Sequence, residues 1–145
     1  MTAKNLYDRD FFEWAQCNAA LLRTGRVEEA DIEHIAEEIE DMGTSQRHEL
    51  ENRLRVLLAH LLKWRFQPEL RGRSWRPTLR VQRGELLRLL RRMPSLGNYL
   101  GETLPETYDL AVEQAISETE LPDDIFPEAC PFTIQQILDE EFFPE

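Results

Sequence analysis

Between Ser45 and Gln67 the chain runs SQRHELENRLRVLLAHLLKWRFQ, with neither glycine nor proline. No other stretch restricts the fold as strongly. Leu50, Leu54, Leu57, Leu58 and Leu61 recur at three- and four-residue spacing, which places them on one face of a helix and demands a core to receive them. Arg65 falls within the same arc and is expected to need a carboxylate partner, because a buried unpaired cation costs several kcal/mol. Arg53, His60 and Trp64 line one flank, and Lys63 points away from the leucines. Pro68 ends the helix by disfavouring the α conformation at Gln67.

The rest of the chain reads as further helices. Asp8 or Asp10 starts one that runs to Arg23, with Phe11, Trp14, Asn18, Leu21 and Leu22 as its buried stripe and Gly25 as its stop. Asp31 caps another, with Ile32, Ile35, Ile39 and Met42 as its apolar stripe. Gly43 interrupts, and Ser45 either caps a separate helix or lies in a kinked continuation. Ser74 caps the next, with Pro77 in its first turn and Leu79, Leu86, Leu90 and Met93 as core positions. After Pro94 come Leu96, Tyr99, Leu100 and Leu104. Pro105 then kinks or restarts the helix, and Tyr108, Ala111, Val112, Ala115 and Ile116 continue the stripe. From Leu121 three prolines in LPDDIFPEACPF make an extended arm pinned by Phe126 and Phe132. Thr133 caps a short helix through Leu138, and the acidic end DEEFFPE is expected to be loose.

The predicted fold is therefore all-α: one domain over 1–145, with a bundle of five to six helices over 8–121 and a Pro-rich arm over 122–145. At 145 residues one core suffices. No run approaches the roughly 20 apolar residues of a membrane span, and MTAKNLYDRDFF lacks the apolar core of a signal peptide. Cys17 and Cys130 have no metal or redox spacing and read as free thiols, which points to the cytoplasm.

Charge is segregated. Twelve basic residues stand against two acids between Arg53 and Arg92, so a net +10 middle sits inside a chain of net −11. Such asymmetry can serve nucleic acid through residues 53–92. Packing of acidic helices beside basic ones explains it equally well, and the overall acidity favours that reading.

Several short pieces occur in one order: EEIEDMG (Glu37 to Gly43), LLAHLLKW (Leu57 to Trp64), Gln67-Pro68, RGRSW (Arg71 to Trp75), Gln82-Arg83, PSL (Pro94 to Leu96) and FPEACPFT (Phe126 to Thr133). Together they resemble the bacterial domain-of-unknown-function family 29 over nearly the whole chain. The resemblance implies a compact helical fold and no particular activity. One departure is His34, where that family is expected to carry an amide.

Three constellations could carry chemistry. Arg55 and His60, in RVLLAH, have the spacing of HEPN-type helical ribonucleases, in which arginine holds the scissile phosphate and histidine moves a proton. Five residues on a helix nevertheless separate the two side chains by about 140°. His34, Glu38 and Asp41, with His60, offer carboxylate and imidazole ligands, but the Glu-x-x-His pairs of di-metal bundles are missing, so neither metal nor cofactor is expected. Trp64, Arg65, Phe66, Arg73, Trp75 and Arg76 interleave aromatic rings with guanidinium groups, a composition typical of binding hot spots. Glu37, Glu38 and Glu40 are the expected ion-pair partners of these arginines. The function expected from sequence is a non-catalytic, protein-binding module using Trp64, Arg65, Arg73, Trp75 and Arg76. The metal-independent ribonuclease is the alternative.

Overall fold

The computed structural model describes residues 3–145, and for Ala3 and Lys4 the backbone alone. Among the described residues the chain is all-α, with no strand. Its helices are α1 (Ala3–Leu6), α2 (Phe11–Arg23), α3 (Ile32–Phe66), α4 (Trp75–Arg92), α5 (Leu100–Thr119) and α6 (Ile134–Leu138). Four short 3-10 turns punctuate the connections. None of these helices is long and apolar enough to cross a membrane. The chain forms two compact units, Met1–Gln46 and Arg47–Glu145, and α3 contributes residues to both.

In the first unit α2 begins where its sequence requires, with Asp10 accepting a hydrogen bond from the Glu13 amide. Trp14, Asn18 and Leu21 are buried, whereas Phe11 and Leu22 are exposed, so the stripe is narrower than expected. The indole of Trp14 donates to Asp31 Oδ2 at 3.0 Å. The Asp31 amide donates to Asn18 Oδ1 at 2.8 Å, and Asn18 Nδ2 donates back to the Trp14 carbonyl. Asp31 is thus more than a helix start: at 2 % exposure, its carboxylate joins α2 to α3. Burial raises the carboxyl pKa, but the bonds from Trp14 and His34 outweigh it and hold the group below its ordinary value. Along α3 only Ile35 of the expected stripe packs here, against Leu21 and Ala30. Ile32, Ile39 and Met42 are exposed, a correction to the periodicity reading: so small a unit has too few elements to cover them.

Gly43 does not break α3. Its position has open space where a Cβ would stand and no positive φ. The glycine weakens the helix entropically without a steric reason to end it.

The second unit is built around the C-terminal half of α3. Leu50, Leu54, Leu57, Leu58 and Leu61 are all buried, as their spacing predicts, and Ala59, Leu62 and Trp64 join them. Neighbours therefore cover this segment on more than one face. They are Leu79, Leu86 and Leu89 of α4; Leu100, Tyr108, Ala111 and Ala115 of α5; and Phe126, Phe132 and Ile137 of the arm. On α4, Leu90 and Met93 are only partly buried, and Leu89 takes the core position instead. Helix α5 continues through Pro105, which cannot donate to the Gly101 carbonyl. Both residues are exposed, leaving that carbonyl open to water.

The arm is held as its aromatics suggest. Phe126 meets Phe66 edge-on at 5.4 Å, and Tyr108 donates to the Pro127 carbonyl at 2.6 Å. Thr133 and Gln136 form a reciprocal capping box at the start of α6. The end of the chain departs from expectation. Phe143 packs 5.2 Å from Trp64, and Pro144 is buried, so the apolar part of DEEFFPE belongs to the core.

Three positions of α3 test this account. Leu58→Ala should cost about 2–5 kcal/mol, against less than about 0.5 kcal/mol for the exposed Ile39→Ala. Gly43→Ala should stabilise by roughly 0.5–1 kcal/mol. Urea unfolding followed by circular dichroism measures all three substitutions.

Candidate functional site at the α3–α4 corner

The last turns of α3, the 3-10 turn Pro68–Leu70 and the first turn of α4 meet at a corner that is closed by the chain's C-terminal residues. Proline at 68 stops the helix, and Arg71 then folds back. Its Nε donates to the Trp64 carbonyl at 2.8 Å, and its Nη2 reaches the Pro144 carbonyl at 3.4 Å. The same guanidinium lies 4.7 Å from the Trp64 ring centroid. Arg76 lies 5.4 Å from that ring and 4.1 Å from Phe143. Trp64, only 7 % exposed, is thus a fixed post between two cations and a phenyl ring.

Beside it opens a cavity of about 160 Å³, lined by His60, Lys63, Trp64, Ser74, Trp75, Thr78 and Leu79. Lys63 Nζ pairs with Glu118 of α5 at 2.6 Å, and Thr78 Oγ1 donates to the Ser74 carbonyl. Ser74 occupies the α4 cap position but makes no side-chain cap bond, so its exposed hydroxyl remains available. His60 Nδ1 stands 2.8 Å from the Val56 carbonyl. A carbonyl only accepts, so Nδ1 carries the proton and Nε2 of the neutral ring keeps its lone pair. Burial, with help from Lys63, pushes the imidazole pKa below its ordinary value and keeps the ring neutral.

The residues singled out in the sequence fall into distinct places. Trp64 and Trp75 line one cavity, and Arg76 stacks at its back. Arg73 is exposed. Arg65 is half-buried with its guanidinium 5.3 Å from the Phe66 ring, and it makes no ion pair among the described residues. The arginine that is fully buried is Arg83, on α4. The sequence analysis missed it because arginine, by residue type, is expected at the surface. The one available signal was its helical register with the core positions Leu79, Leu86 and Leu90.

Arg55 and His60 line different cavities: Arg55 borders one of about 130 Å³ together with Thr103 and Glu106. Their helical separation is not overcome. In the first unit, Glu38 accepts from the Tyr7 hydroxyl, while Glu37 and Glu40 are exposed. His34 stacks on Tyr7 with ring centroids 3.8 Å apart and bonds Asp31 Oδ2 at 2.7 Å. That carboxylate raises the His34 pKa. Among the described residues no three His, Cys, Asp or Glu side chains gather as metal ligands would. Cys17 and Cys130 are free thiols.

The two histidines should respond to pH with opposite sign. His60 has a depressed folded pKa, so its contribution is complete above the unfolded value of about 6.5 and is lost as pH falls. His34 has a raised folded pKa, so its contribution is complete below about 6.5 and is lost as pH rises through the folded value. Urea titrations at pH 5.5 and 7.5 should therefore show His60→Gln reducing the loss of stability on acidification and His34→Gln increasing it.

No curated protein and no solved structure matches the chain. Residues 6–143 match the family described as Domain of unknown function DUF29, and the chain belongs to that family.

Proposed function

We propose that this protein is a non-catalytic interaction module of the bacterial cytoplasm whose working surface is the α3–α4 corner. The observation that supports this reading is the cavity beside Trp64, with two indoles, a neutral imidazole and an unengaged serine hydroxyl around a concave space. Rigid aromatic walls with a few polar groups are what a recognition notch needs, because the walls lose little entropy when a partner seats. Arg73 and Arg76 are exposed at this corner, and the surrounding segment is strongly basic. The partner we infer is an acidic protein segment that inserts one side chain into the notch.

Ribonuclease chemistry by Arg55 and His60 gains no support, since the two residues border separate cavities. A reacting phosphate must be reached by both groups at once.

Trp75→Ala should remove the larger part of partner retention in a pull-down, at least about tenfold for a hot-spot residue. Arg73→Ala should weaken retention more at low salt than at high salt. Arg55→Ala should leave it unchanged. Retention that survives Trp75→Ala in a folded protein would defeat the proposal, as would chelator-resistant RNA cleavage abolished by both Arg55→Ala and His60→Ala.

A further inference from the structure

Arg83 sits in the middle of α4 at 1 % exposure. Its Nε donates to the Ile137 carbonyl of α6 at 2.8 Å, which fixes the plane of the guanidinium. Phe143 lies 5.9 Å from its central carbon. The terminal nitrogens Nη1 and Nη2 are buried and have no hydrogen-bond partner among the described residues. A guanidinium in this state offers two parallel donors, the geometry that matches a carboxylate in a two-point contact. Burial also pushes its pKa down, although Asp139 and Glu140 act in the opposite direction. An arginine guanidinium keeps its charge in proteins.

Arg83 is one of the residues that line a cavity of about 270 Å³, together with Arg80, Gly84, Glu140 and Glu141. Two guanidiniums and two carboxylates surround one space. A dianion gains from the first pair and is repelled by the second. A lone cation has the reverse problem. A molecule carrying one negative and one positive group satisfies both.

We propose that this cavity binds a small zwitterion, of the class of free α-amino acids, with its carboxylate on the Nη1–Nη2 fork of Arg83 and its ammonium at Glu140 and Glu141. Gly84 leaves the space open: a Cβ built there meets nothing within 4 Å, so a longer side chain at that position would fill the cavity without disturbing the helix backbone. This site is independent of the Trp64–Trp75 notch, and neither reading depends on the other.

The test uses the full-length wild-type protein with arginine side-chain NMR, reading the Arg83 resonance as glycine, acetate or inorganic phosphate is added. Glycine should give a saturable shift. Acetate should bind about fivefold more weakly, for want of one rim ion pair, and phosphate more weakly still. Gly84→Ala should retain glycine binding, Gly84→Leu should abolish it, and Glu140→Gln with Glu141→Gln should erase the preference for glycine over acetate. Because Arg83→Gln could prevent folding, the test relies on the wild type and on these milder variants. The proposal is overturned if glycine gives no saturable shift, which would mean that Glu140 or water completes the fork. It is overturned equally if binding survives Gly84→Leu, or if acetate or phosphate binds as tightly as glycine.

Discussion

Removal of the C-terminal half of α3 from water is the constraint on which the second unit depends. From Leu50 to Trp64 this one helix buries six leucines, an alanine and a tryptophan. At about 1.5–3 kcal/mol for each large apolar side chain, no other element contributes as much to the unit's core. A helix apolar on one face needs one neighbour; Ala59 and Leu62 lie off the leucine face and need more. The amphipathic α4 and α5 supply two of these walls, and the proline-rich arm with α6 completes the enclosure. The arm is therefore a structural wall, in spite of its composition.

Charge is accommodated around this core mainly without buried ion pairs. Lys63 and Glu118 make one close pair at the surface of the second unit. The arginines of the corner rely instead on aromatic faces and backbone carbonyls: Arg71 on Trp64 and its carbonyl, Arg76 on Trp64 and Phe143, Arg83 on the Ile137 carbonyl. Guanidinium suits this role because it is planar, permanently charged and weakly hydrated, so it can stack and donate at once. Phe143 contacts two of these arginines and Trp64. Phe143 thereby becomes part of the candidate site.

Much of the fold is readable from sequence where the determinant is local. The leucine register of α3, the Asp10 start of α2, the Thr133 cap and the pinning by Phe126 and Phe132 all follow from spacing or from a single capping bond. Where the determinant is a distant neighbour, spacing misleads. Arg65 and Arg83 both share the register of core leucines, yet only Arg83 is fully buried, because the fold brings the Ile137 carbonyl to α4 and gives Arg65 only Phe66. Ile39 and Met42 have the periodicity of a core face but lie exposed in a unit that has too few elements to cover them. Trp64 and Trp75 stand out by residue type alone. That they line a cavity with a neutral His60 is invisible in the sequence, since the tautomer depends on a carbonyl one turn back and on burial.

Fold class, the helical register of the core and the family are legible in the chain alone, because periodicity, caps and ordered short motifs are local properties. Packing, by contrast, settles which polar groups lose water. It separated Arg55 from His60, drew Phe143 and Pro144 into the core, and buried Arg83 with two unused donors. Desolvation belongs to the assembled neighbourhood of a residue, and no local pattern encodes that neighbourhood.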